Sequence, residues 1–172
     1  FSNDANPFGT AQEIEIGMGL ARAHRVSYVG ELGWEIYMGA DMAGHVFETL
    51  WEAGQDHGLK LCGMHMMDSC RIEKAFRHFG HDITCEDHVL EAGLGFAVKT
   101  DKPDFIGRDA LMQADQTCRT WGMRVEDGIA LRGRTLFVGD RGVGRVTSST
   151  WSPYQVCGIG IVHLDDASLQ PG

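Results

Sequence analysis

Residues 43–53 carry an amphipathic repeat: Val46, Leu50 and Trp51 fall at i, i+4 and i+5, with Phe47 beside them, and this spacing predicts a helix. Gly54 and Gly58 stop it. Residues 63–76 predict a second helix with Met64, Met67, Ala75 and Phe76 as apolar positions, Arg71 and Glu73 inside it, and Gly80 closing it. The pattern ahead of these helices has a period of two. Residues 22–29 predict a strand with Val26 and Tyr28 on one face, Gly30-Glu31-Leu32-Gly33 a turn, and residues 34–37 a second strand. With that four-residue loop Val29 opposes Trp34 and Tyr28 opposes Glu35. Opposed residues share a face with Cβ atoms about 5 Å apart, so a phenol and a carboxylate would stand together on the face opposite Trp34. Residues 11–16 fit either a short helix or a strand. Residues 81–97 read as mostly irregular, 96–98 as a buried strand and 108–114 as a helix. Residues 128–131, 135–138, 143–147 and 158–162 read as short strands, with Gly139-Asp140-Arg141-Gly142 as a hairpin turn. The last group predicts a small antiparallel barrel or sandwich.

Length and charge refine this picture. The chain has 172 residues, enough for one ordinary domain or two small ones, and its 43% hydrophobic and 23% charged residues are a globular balance. The net charge is −9, which argues against nucleic-acid or anionic-membrane partners, since both need a basic surface. No apolar run approaches a membrane span of about 20 residues, and the first residues lack the basic start and apolar stretch of a signal peptide. The charge is uneven: residues 1–112 hold 9 basic and 18 acidic residues, whereas residues 113–172 hold 6 of each and no lysine. The change from helical patterns to Gly-, Thr-, Ser- and Val-rich alternation falls at the same place. Two subdomains are therefore expected, 1–112 and 113–172. Cys62, Cys70, Cys85, Cys118 and Cys157 are odd in number and irregular in spacing, which reads as free thiols in a reducing compartment. The chain starts at Phe1 without a methionine and ends at Pro171-Gly172, as expected of a piece of a longer protein.

His78, His81, Asp82, Cys85 and His88 fall within eleven positions and are zinc-ligand types, but their spacing matches no closed site, and a polar loop over a helix end competes. Gly17-Met18-Gly19, Gly93-Leu94-Gly95 and Gly158-Ile159-Gly160 lack the third glycine of a dinucleotide fingerprint. There is no Gly-x-Ser-x-Gly. Cys70 beside Arg71 reads as packing rather than a nucleophile. Glu35 is unusual inside a strand and reads either as a solvent-facing edge or as a placed functional group.

Four segments in order resemble the second half of the glycine cleavage T-protein (aminomethyltransferase) family. They are Tyr28-Val29-Gly30-Glu31-Leu32-Gly33-Trp34-Glu35, Arg71-Ile72-Glu73, Leu90-Glu91-Ala92-Gly93-Leu94 and Phe105-Ile106-Gly107-Arg108-Asp109-Ala110-Leu111. The resemblance is closer still to the folate-binding C-terminal region of sarcosine and dimethylglycine dehydrogenases, through Ser27 to Glu35, Asp68-Ser69 with Arg77-His78, and Phe8-Gly9-Thr10-Ala11-Gln12-Glu13-Ile14. It implies an α+β fold, a ferredoxin-like second subdomain followed by a small antiparallel β-barrel, the barrel truncated here.

The same resemblance implies tetrahydrofolate as cofactor and a role in one-carbon transfer, in a bacterial cytoplasm or mitochondrial matrix. Glu35 matches the carboxylate that holds the pterin ring, Tyr28 a tyrosine near the folate, and Arg71 an arginine that either contacts folate or braces Glu35. The catalytic aspartate of the family lies in the first half of its fold, so no catalytic residue is assigned in this chain. The implied partners are folate, the missing N-terminal half and an FAD dehydrogenase domain in the same parent protein, with no nucleic acid and no membrane. A stand-alone aminomethyltransferase or methyltransferase and a non-catalytic folate-binding scaffold stay open as alternatives. The family tyrosine after the Arg-Ile-Glu helix is replaced by Phe79 ahead of Gly80.

Overall fold

The computed structural model describes residues 2–115, 117–170 and 172. It combines helices with antiparallel sheets and divides into two compact units, Phe1–Met67 and Asp68–Gly172. Residue 112, near which the joint is expected, lies in α3 (Arg108–Gln113), ahead of β4 (Arg119–Val125). Among the described residues no helix is long and apolar enough to cross a membrane.

The first unit is a three-stranded antiparallel sheet in the order β1 (Ala11–Ile16), β2 (Gly19–His24), β3 (Glu35–Met38), followed by helix α1 (Ala43–Gly54). Residues 11–16 are thus a strand. They pair with β2 through the two-residue turn Gly17-Met18, where Gly17 has φ +60°. The amide of Met18 donates to His45 Nε2 at 2.9 Å, which ties this turn to α1. Alternation sends Ile14, Ile16, Ala21, Ala23, Ile36 and Met38 inward, where Ile16 and Ala21 bury against Val46 of α1. An apolar cavity of about 280 Å³ remains among Ile14, Ile16, Ala23, Trp34, Ile36 and Leu50.

The hairpin expected from residues 22–37 is corrected. Strand β2 starts at Gly19 and stops at His24, β3 starts at Glu35, and residues 25–34 connect them without strand structure. Arg25 explains the departure. It donates to the carbonyl of Gly33 at 3.3 Å and to Asn3 Oδ1 at 2.9 Å, with its guanidinium 5.3 Å from the Trp34 ring centroid. These contacts gather the segment into a compact loop. Gly30 sits in it at φ +71°.

In the second unit, helix α2 (Met64–Glu73), which begins in the first, leads to a long irregular stretch, to α3 and then to a four-stranded antiparallel sheet. Its order is β4, β7 (Cys157–Leu164), β6 (Arg141–Ser152), β5 (Thr135–Val138). Every residue of β7 is buried, in keeping with its central place in the sheet. Val146, Val162 and Leu164 form one core with Trp121 and Met123 against it, while Ile72 of α2 packs with Cys157, Ile159 and Ile161. Two expected strands are absent. Residues 96–98 lie at a 3-10 turn, with Phe96 86% exposed, because the amides of Ala97 and Val98 bond back to Leu94 and Gly95. Residues 128–131 form an irregular approach to β5, with Gly128 at φ +89°.

Candidate functional site

Glu35 opens β3, and the period of two places Tyr37 on the same outward face. The Tyr37 hydroxyl donates to Glu35 Oε2 at 2.6 Å. Register sets His24 opposite Glu35 and Arg22 opposite Tyr37, with Glu13 beyond Arg22 on β1. The His24 and Tyr37 rings lie 4.9 Å apart at 51°. Arg22 and Glu13 approach to 3.6 Å, both well exposed, so that pair adds little stability. Beside Tyr37 an open groove of about 330 Å³ is lined by Glu13, Leu20, Arg22 and Tyr37 along with Ala21 and Met38. The hydrogen bond to Glu35, then the negative charge there, raise the Tyr37 phenol above the ordinary tyrosine range.

A phenol therefore does stand beside Glu35, on the face away from Trp34, but it is Tyr37. Tyr28, expected across the hairpin, lies half-buried in the 25–34 connection. The sequence signal for Tyr37 is the i, i+2 step from Glu35, and the signal for His24 is the register that the short Gly17-Met18 turn imposes.

Arg71 lies in the second unit and is 2% exposed. Its Nε donates to Asp68 at 2.8 Å, Nη1 to the Phe76 carbonyl at 3.1 Å and to Asp82 at 2.7 Å, and Nη2 to Ser148 Oγ at 2.9 Å. Asp82 also accepts from Thr147 Oγ1 at 2.6 Å and from the His78 amide at 2.9 Å. Burial opposes its charge, but hydrogen bonds from Ser148, Thr147 and the His78 amide, with Arg71 alongside, outweigh that and hold its carboxyl below the usual range. The neighbouring positions of α2 reach the same strand. Ser69 bonds Thr150 at 2.9 Å, and Glu73 accepts from Ser152. The Arg-Ile-Glu motif thus stitches α2 to β6 around the buried Ile72. A pocket of about 220 Å³ opens beside it, with Asp68, Arg71, His81, Arg132 and Ser148 in its wall.

Of the histidine, aspartate and cysteine positions weighed for zinc, Asp82 is committed to Arg71 and Thr147, and the His78 and His81 rings lie 4.1 Å apart. Among the described residues no group of three or more such side chains is placed to hold a metal. Cys118 is a poor nucleophile at neutral pH, since burial and then the charges of Asp165 and Glu91 push its thiol up to about 11.

The family model described as the GCVT N-terminal domain matches residues 1–102. Over 98% of its length the chain is 44% identical to 21% of the 4-methylaminobutanoate oxidase (formaldehyde-forming) of Paenarthrobacter nicotinovorans. Over 96% of its length it is 39% identical to 46% of an aminomethyltransferase of Symbiobacterium thermophilum. The mitochondrial dimethylglycine dehydrogenase of Mus musculus is 41% identical over 65% of this chain and 13% of its own length. The crystal structure of the glycine cleavage system aminomethyltransferase T from Bartonella henselae superposes with a TM-score of 0.80 at 23% identity, over 95% of this chain and 46% of that one. The chain spans less than half the length of each of these relatives. Its mixed helices and antiparallel sheets follow the T-protein fold. The family match takes in more than half of its residues, and the chain belongs to the GCVT N-terminal domain family, that of the glycine cleavage T-protein.

Proposed function

We propose that this chain is the folate-binding part of a tetrahydrofolate-dependent one-carbon transfer protein, whose parent also carries a separate FAD-dependent dehydrogenase domain acting on an N-methylated amine. The observation that carries the reading is the Glu35 carboxylate on an open sheet face, with Oε2 held by Tyr37. A pterin ring presents an amino group and an adjacent ring N–H, and a carboxylate with acceptor capacity on both oxygens suits that pair. Tyr37 is the hydrogen-bond partner of Glu35 among the described residues, and it uses one of about four acceptor positions. The donor set on this face therefore fits the group. A reduced folate, when bound, supplies the ring nitrogen that takes up the one-carbon unit. Glu35 would orient the pterin. Tyr28 and Arg71 join the proposal on their motif positions, and Arg71 has a single Nη2 hydrogen left for a ligand beyond its four bonds. The catalytic acid is assigned to the part of the fold outside this chain. A family boundary near residue 112, with the barrel beyond it, belongs to the same reading and is supported by the end of the family match at residue 102. So does a bacterial cytoplasmic or mitochondrial-matrix setting.

The dehydrogenase parent is favoured by the 44% and 41% identities to an oxidase and a dehydrogenase whose names carry N-methylated amines. A stand-alone aminomethyltransferase is the second reading, supported by 39% identity to such a relative. Visible flavin absorbance in the intact protein decides between them. Folate binding is tested by calorimetry of the intact protein with folinic acid, a stable reduced folate. Glu35→Ala is expected to weaken binding by about 1.5–3 kcal/mol, the scale of a hydrogen bond to a charged group. Unchanged affinity would remove Glu35 from the site.

A further inference from the structure

We propose that Tyr37 is the positioning residue of the pterin clamp, its hydroxyl fixing the orientation of the Glu35 carboxylate while the His24 ring holds the phenol in place. This rests on the reading of Glu35 above, and adds two residues that neither the motif nor the family match assigns. The problem they solve is physical. Glu35 is exposed and long, so a free side chain would lose rotamer entropy each time it was fixed against a ligand. A two-point contact also needs the carboxylate plane in one orientation.

Three observations point to Tyr37 as the group that sets it. The O–H to O⁻ contact of 2.6 Å has the length of a charge-assisted hydrogen bond. The phenol comes from the same strand two residues on, so strand geometry fixes its approach without dependence on a loop. Its ring is restrained from the adjacent strand by His24. The other charged groups on this face are Arg22 on β2 and Glu13 and Glu15 on β1. Arg22 is engaged with Glu13, and among the described residues no basic group lies within ion-pair distance of Glu35. The carboxylate is therefore oriented by a neutral donor and keeps its charge for a ligand.

The test is a double-mutant cycle read by calorimetry with folinic acid on the intact protein, with melting curves as the folding control. Tyr37→Phe keeps the ring against His24 and removes only the hydroxyl, and is expected to weaken binding about threefold to tenfold. In combination with Glu35→Ala it should cost nothing beyond Glu35→Ala alone, because the two act as one unit. His24→Ala should weaken binding in the wild-type background and have no effect once Tyr37 is Phe. A spectroscopic signature accompanies this. The Tyr37 phenol should ionise above the ordinary range by phenolate absorbance, and Glu35→Ala, which removes both the hydrogen bond and the charge, should lower it toward that range. If Glu35→Ala leaves affinity unchanged, the clamp itself fails and this proposal with it. If Glu35→Ala weakens binding but Tyr37→Phe does not, or if the two losses add, the clamp stands and the role of Tyr37 is overturned.

Discussion

At Asp82 a single carboxylate decides whether a charged cluster can exist inside the second unit. Two buried charges are costly to desolvate, and the Arg71–Asp82 contact at 2.7 Å is tolerable because most of the remaining lone pairs and protons are met by Thr147, the His78 amide, Asp68, Ser148 and the Phe76 carbonyl. Asp82→Asn leaves the Arg71 charge buried without this partner and is expected to destabilise the unit by about 3–5 kcal/mol, read from chemical unfolding. The pH dependence has a definite sign. The folded carboxyl is depressed, so its stabilisation is complete above the unfolded value of about 4 and disappears as pH falls through the lower folded value. The melting temperature of the parent sequence should therefore drop on acidification below about pH 4. Asp82→Asn should lack that part of the drop.

Among the elements, β6 and β7 show how close approach is written into glycine. A Cβ added at Gly144 would collide with the backbone oxygen of His163 across the strand pair, and one at Gly158 would collide with the Gly128 carbonyl. Gly144→Ala is expected to separate β6 from β7 and cost about 1–3 kcal/mol, seen as a lowered unfolding midpoint. Elements whose burial follows their own periodicity were legible before the structure. Helix α1 and strand β5 appear where the apolar spacing puts them, and β6 and β7 extend the predicted runs at both ends. Strand β4 is absent from the predicted runs, although Trp121, Met123 and Val125 alternate. Where side-chain contacts override periodicity, the sequence misleads. Val26 and Tyr28 alternate as a strand should, yet Arg25 bonds to Gly33 and Asn3 and draws that segment off the sheet. The same override moved the phenol beside Glu35 from Tyr28 to Tyr37. The outward placement of Glu35 survived because it depends only on strand period and on Trp34 and Ile36 facing the apolar cavity.

For the molecule as a whole, electrostatics sets a condition on any anionic ligand. All of the −9 net charge lies in residues 1–112, and the outward face of the first unit sets Glu13, Glu15 and Glu35 against Arg22. The most buried guanidinium of the second unit, Arg71, is already matched by Asp68 and Asp82 and offers little uncompensated positive charge. A reduced folate carries carboxylates on its tail, so its approach to this surface is uphill in the long-range field, and recognition must come from short-range hydrogen bonds of the Glu35 type. Salt then acts in the opposite sense to its effect on a protein with a basic site. Between about 0.01 M and about 0.15 M ionic strength the Debye length falls from roughly 30 Å to roughly 8 Å, which screens the repulsion and leaves contacts at hydrogen-bond distance nearly untouched. Folinic acid should therefore bind the intact protein more tightly as salt is raised through that range, chiefly through a faster association rate. The dissociation rate should stay nearly constant. Affinity that falls with salt would mean that an unneutralised cation dominates recognition, and would move the site away from the Glu35 face.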